Sequence, residues 1–477
     1  MIRHLHLLFL FAAALPLQAK VGEWHSLRDE QGKALMVRFE GIQDDRYLLR
    51  RQNDGRLFEV APGLLPDSAR NHFEKEAADL DREIARLRET VGKPLFAGTP
   101  FEVREAAEIA KALGLRTESK TKHSTSWRLY ARADYRLFGA RPYSIALYSN
   151  ENGHPTSLSA VYANKGDFGS TAGFGEDHFT GGNDTTIKSL EAAMEKDEKA
   201  IEQAISSALG DAETQRYGEG KSRRTVKRWD WNGHSLLLSN EEDEYVSLSI
   251  VPLELAEAGG KTGKVKDTDL KKRIAADVIR EENGDIYLGQ VPMVNQGPKG
   301  YCVPATFERA MRTMGIDADM YLLAMVGETS IGGGTSVQKL LENVRSQVYR
   351  KGRRPKDEKI KKLRIRDVKK YIDAGVPVMW TMRSLSEYNK VATANTKRRK
   401  KITDWSAWSS TIAEETEQLT EQERIEANHH ICMIVGYNEA TEELAVSDSW
   451  GPSFERRWVP LGVADWASSN GLFMILP

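Results

Sequence analysis

The stretch VNQGPKGYCVPATFERAM, residues 294–311, sets one of only two cysteines in a 477-residue chain between a glycine-rich turn and an apolar stripe. Phe307, Ala310, Met311 and Met314 recur at helical spacing, and Pro304 suits a first turn. Cys302 is therefore expected at a helix N-terminus, where unpaired N–H groups and the helix dipole favour a thiolate. Two readings of Cys302 follow, a reactive nucleophile or a buried structural thiol.

A thiolate nucleophile needs a base and a group that orients the base. Downstream, NHHICMIVGYN puts His429 and His430 at the start of an apolar strand, and ELAVSDSWGPSF puts Asp448 at the end of the next. Cysteine, histidine and aspartate in this order point to thiol acyl-transfer chemistry.

These residues resemble the papain-like cysteine peptidases, including their C39-like branch. Gln296, six residues ahead of Cys302, stands where that family keeps its oxyanion glutamine. HICMIVGYN resembles the strand that the catalytic histidine begins, and this register selects His430 over His429. DSWG resembles the family's Asn-Ser-Trp-Gly, with Asp448 in the Asn position. The numbering 302, 430 and 448 gives separations near the roughly 130–150 residues typical of such enzymes. GYCVPA departs from papain's own motif and is closer to the C39-like Cys-Gly-Pro-Ala, with Val303 replacing the glycine. The resemblance covers residues 288–477. It implies catalytic Cys302, His430, Asp448 and Gln296, with Trp450 shielding the His–Asp contact.

In IGGGTSVQKLLENV (331–344), Gly333 and Gly334 resemble the family's glycine turn that lets substrate backbone approach. The same stretch also reads as a helix start capped by Thr335 or Ser336. Cys432, two residues past His430, shares its side of the strand. It reads as core filler, or as a partner that could lock Cys302 in a disulfide. The charged insert 384–428 reads as a lid or specificity loop.

Working outward, Lys plus Arg (68) balance Asp plus Glu (69), so no global field favours nucleic acid or anionic membrane. The basic runs lack interleaved aromatics, and nucleic acid is not an expected partner. No cofactor and no metal are expected. MIRHLHLLFLFAAALPLQAK, with Arg3, an apolar core and Ala19, reads as a signal peptide over 1–19, and so as a secreted or periplasmic protein. Its apolar run falls short of the roughly 20 residues of a bilayer span.

Residues 20–67 alternate as short strands, with Asn53-Asp54-Gly55 a hairpin signal. Trp24, DEQGK, FEGI, YLLRRQNDGRLFEV and LLPDSA resemble the SLA1 homology 1 family, which implies a small SH3-like barrel and a protein ligand for it. Residues 68–94 read as a connecting helix. SNENGHPTSLSAV (149–161) recurs as SNEEDEYVSLSIV (239–251), so 95–255 reads as an α+β domain of two α-β-β repeats with paired sheets. Residues 256–287 are polar and read as a linker arm.

The expectation is a multidomain α+β protein whose C-terminal domain hydrolyses peptide bonds of a peptide or protein substrate. An amidase or acyltransferase on a non-protein substrate, and an inactive peptide-binding protein, are the competing readings.

Overall fold

The computed structural model describes residues 23–28, 33–166, 187–298, 300–330, 334–420 and 428–477. The expected signal peptide over 1–19 and Gly333 lie outside them. Among the described residues no helix is long and apolar enough to cross a membrane.

The chain opens with β1 (Trp24–Arg28), β2 (Ala34–Gln43), β3 (Arg46–Arg51) and β4 (Leu57–Val60), an antiparallel meander in the order β1-β2-β3-β4. Gly55, at φ 66°, turns the β3–β4 hairpin. Where a small SH3-like barrel was expected, the strands form an open meander with no β1–β4 pair among the described residues. Its apolar face, with Val37, Phe39 and Leu49, instead packs on α1 (Asp67–Val91) through Phe73. That helix is thus more than a connector, because Phe73, Leu80, Ile84 and Leu87 repeat at helical spacing and are buried.

Next come α2 (Ala106–Leu113), β5 (Arg116–Lys120), β6 (Ser124–Tyr130), β7 (Ser144–Asn150) and β8 (Pro155–Asn164). A second set follows: α3 (Ile187–Leu209), β9 (Glu213–Tyr217), β10 (Arg224–Trp231), β11 (His234–Glu241) and β12 (Tyr245–Pro252). The strands form one eight-stranded sheet, β5-β6-β7-β8-β12-β11-β10-β9, where paired sheets were expected. Each half is a helix followed by four strands, and the order mirrors across the β8–β12 pair. The similar stretches 149–161 and 239–251 run into β8 and β12, the two central strands. The meander, α1 and this sheet share one apolar core.

The remainder is α4 (Leu253–Glu257), α5 (Asp267–Ala276), β13 (Val278–Arg280), β14 (Ile286–Leu288), α6 (Cys302–Thr313), α7 (Met320–Val326), α8 (Val337–Arg350) and β15 (Arg354–Lys359). Then follow α9 (Ile365–Ile372), β16 (Val378–Arg383), α10 (Ser386–Arg399), α11 (Trp405–Thr420), β17 (His429–Asn438), β18 (Glu443–Ser447), β19 (Arg457–Pro460), α12 (Leu461–Ala467) and β20 (Ser468–Leu476). The sheet order is β13-β14-β17-β16-β20-β15, with β18 and β19 branching from β17. Its core joins α6 to β16 and β17 through Phe307, Met311, Trp380 and Ile431.

Residues 256–287 are no linker. Leu270 and Ile274 on α5 are buried in the C-terminal core, and β14 pairs with β17 through Ile286 and Tyr287. Their helical spacing of four, not the polar composition around them, decides the structure.

Candidate active site

Cys302 is the first residue of α6, and Tyr301 before it is a cap without a side-chain bond to the helix. The helix is held against the histidine strand by Thr306, whose Oγ1 donates to the Ile431 carbonyl at 3.3 Å. Two turns along, the fully buried Arg309 guanidinium donates to the Pro292 carbonyl (2.8 Å) and to the Ser447 carbonyl (3.2 Å). One side chain thereby ties the helix that Cys302 begins to the loop before Gln296 and to the strand end before Asp448. Burial lowers its pKa to about 10.

His430 pairs with Met382 across β16–β17, and its ring hydrogen-bonds Cys302 at the start of α6. Its Nε2 lies 3.1 Å from Asp448 Oδ1, and Trp450 stacks on the ring at 4.8 Å and 23°. Asp448 is completely buried. Its other oxygen, Oδ2, accepts from Arg457 Nη2 at 2.7 Å. Arg457 also donates to Asn389 Oδ1 at 3.0 Å. Asn389 lies on α10, inside the insert expected to be a lid or specificity loop. With Tyr388 and Ala392 fully buried, α10 is a buttress behind the carboxylate.

Gln296 is brought to the same corner by its own amide, which donates to the Ser449 carbonyl at 2.8 Å. The Ser449 hydroxyl donates to Gln296 Oε1 at 2.7 Å. This bond fixes the sense of the carboxamide, so its amino group is the donating end. Gly334 N–H donates to the Gly300 carbonyl at 3.1 Å, two residues before Cys302. Its φ of 100° suits only glycine, and a Cβ there would project into open space. Ser336 caps α8 through the Lys339 amide, whereas Thr335 bonds Thr329 instead.

The electrostatics follow from these partners. Burial would push the Cys302 thiol up, but the hydrogen bond and charge of His430, with backbone donors at Ile431 and Val303, outweigh it and lower the thiol. Burial would lower His430, yet Asp448 and Cys302 raise it to about 9. Burial would raise Asp448, and His430 with Arg457 hold it below the usual carboxylate range. All three directions favour a thiolate–imidazolium pair beside an ionised aspartate. Cys432 is the opposite case. Fully buried, with Sγ 3.8 Å from Met382 Sδ, it is pushed well above an ordinary thiol. Both cysteines are free.

The loop carrying Gln296 also leans on the eight-stranded sheet. Glu118 Oε1 accepts from the Asn295 amide (2.6 Å), Ser119 Oγ from the Met293 amide (3.0 Å), and Tyr130 donates to the Asn295 carbonyl (2.6 Å). Tyr301 donates to Asn164 Oδ1 at 2.8 Å. Gly297, at φ 72°, sits so close to the Tyr130 ring that a Cβ would meet it at 2.5 Å. Tyr143, Val161 and Tyr245 from the sheet form one apolar cluster with Val294, Tyr301 and Tyr321. Beside this seam runs an open groove of about 960 Å³, whose lining includes His123, Asp277, Gln290, Pro292 and Arg312, away from Cys302.

Comparison with known families bears on this corner of the molecule. Residues 288–469 match the Peptidase_C39 like family. The match supports a C39-like, papain-like peptidase domain in the C-terminal region, and it spans α6, β17 and Asp448. No curated protein matches the chain.

Sequence reasoning missed Arg309, Ser449, Arg457, Asn389 and Glu118. Only Ser449 had a local signal, its place inside DSWG.

Proposed function

We propose that the chain is an exported cysteine peptidase that cleaves peptide bonds through Cys302, His430 and Asp448, with Gln296 as oxyanion donor. The reading is carried by the His430 imidazole, hydrogen-bonded both to the Cys302 thiol and to the buried Asp448. The Cys302 thiolate attacks the acyl carbon and forms a C–S bond, and the carbonyl pair moves onto oxygen. The Gln296 amino group and the Cys302 N–H receive that oxyanion, a contribution of about 2.7–4 kcal/mol where one such donor has been removed. His430 gives its proton to the leaving amine as the C–N bond breaks. The neutral imidazole then takes a proton from water, which attacks the thioester and releases acid and thiolate. Asp448, held by Arg457, keeps the ring oriented, and stacked Trp450 keeps water from that contact. The apolar leader of residues 1–19 supports export to a periplasm or beyond the cell.

Iodoacetamide on native, reduced protein tests the nucleophile. Cys302, partly exposed and lowered, is expected to alkylate rapidly near neutral pH, while buried Cys432 stays unmodified. A mixed peptide library read by mass spectrometry tests the reaction. The absence of both fast alkylation and any cleaved peptide would sink the proposal.

The pH dependence has a definite sign. Below the lowered thiol pKa the nucleophile is protonated, and above about 9 His430 has lost the proton that the leaving amine needs. Peptide kcat/KM is expected to be bell-shaped with its alkaline limb near pH 9. Alkylation should rise through the acid limb and not fall above pH 9, because a lone thiolate still reacts. A parallel alkaline fall in both rates would contradict the assignment.

A further inference from the structure

Far from Cys302, three side chains of the N-terminal module converge without serving the chemistry above. His25 lies on β1, and His72 and Glu76 stand at i and i+4 on α1, on one face of the helix. Their ligand atoms all lie within 4.8 Å of one another. His25 Nε2 is 3.0 Å from His72 Nε2 and 3.2 Å from Glu76 Oε1, and His72 Nε2 is 3.8 Å from Glu76 Oε2.

Hydrogen bonds alone do not satisfy this group. His25 Nε2 carries at most one proton when neutral, so it cannot both accept from His72 and donate to Glu76. The carboxylate is 2% exposed, and its Oε2 is buried without a hydrogen-bond partner. A buried, unpartnered carboxylate oxygen is costly, and a cation between the three groups removes that cost.

We propose that His25, His72 and Glu76 bind a divalent transition-metal ion, with zinc the best match to two imidazoles and a carboxylate. Tetrahedral zinc, with bonds of about 2.0–2.2 Å, spaces its ligand atoms by roughly 3.3–3.6 Å, within the range of the separations here. The two rings, with centroids 4.1 Å apart, stand closer than imidazoles radiating from one ion, so binding swings the more exposed His72 outward. Solvent reaches the site through the imidazoles, which are 20% and 32% exposed, and supplies the fourth ligand. Phe73, packed against both rings and itself fully buried, forms the floor. The ion would pin the edge strand β1, which pairs only with β2 among the described residues, to the helix beneath it.

The test uses the untagged full-length chain carrying Cys302→Ser, so that the reactive thiol does not compete for metal. After chelator treatment and equilibrium dialysis against zinc, elemental analysis should find about one ion per chain. His72→Ala and Glu76→Gln should weaken binding by more than the roughly 10–100-fold that loss of an outer-shell partner costs. Zinc should raise the melting temperature of the parent, reversibly with chelator, and leave that of His72→Ala unchanged. Glu76→Gln preserves volume and serves if an alanine variant fails to fold. A parent chain that retains no zinc, or variants that retain as much as the parent, would overturn the site.

Discussion

Cys302→Ala is expected to lower kcat/KM for peptide cleavage by about 10⁵–10⁶-fold, the scale on which acyl-transfer enzymes lose rate when the nucleophile goes. The folded state should barely notice. The side chain is small, partly exposed and only partly buried against the core. His430→Ala should cost nearly as much, and the double variant hardly more, because the two groups act as one unit. Rates on a cleaved library peptide, with melting curves for each variant, separate this from simple unfolding. A Cys302→Ala protein within tenfold of the parent would remove the thiol from the mechanism.

A fragment containing residues 286–477 is expected to be inactive and without a cooperative melt. Cutting there removes Leu270 and Ile274 from the core around Phe307, and losing such side chains costs about 2–5 kcal/mol each. That is comparable with the roughly 5–15 kcal/mol total stability of a domain. Contact with α5 is close: a Cβ on Gly375 would meet the Ile274 carbonyl at 2.3 Å. A longer fragment beginning near residue 261 retains α5, yet it loses Glu118, Ser119 and Tyr130 from the loop that carries Gln296. It should fold better than it cleaves. Circular dichroism melts and peptide kinetics on both fragments decide the matter. A 286–477 piece that melts cooperatively and matches the full-length rate would mean that the upstream domains do not support the site.

What the sequence disclosed and what it hid divide along a physical line. Cys302, His430 and Asp448 were legible because each sits at the end of an element whose periodicity shows within ten residues. Their supports were not. Arg457 reaches Asn389, Arg309 reaches Ser447, and Glu118 reaches Asn295, across sequence gaps that leave no local pattern. Residues 256–287 misled because composition was weighed over the Leu270–Ile274 spacing. The single central sheet was hidden for a related reason, since the β8–β12 pair joins strands far apart in the chain. His25 stands on a strand, and its partners stand on a helix that only the folded meander brings beside it.

The groove along the domain seam has a pharmacological consequence. Its wall includes Gln290 and Pro292, on the segment that leads to Gln296, and Pro292 is also where Arg309 grips that segment. On the mechanism proposed, a compound wedged there is expected to shift Gln296, the proposed oxyanion donor, without meeting the thiol. Inhibitors of this kind need no electrophilic warhead. Their selectivity would come from a surface built jointly by two domains, which a stand-alone papain-like enzyme does not possess.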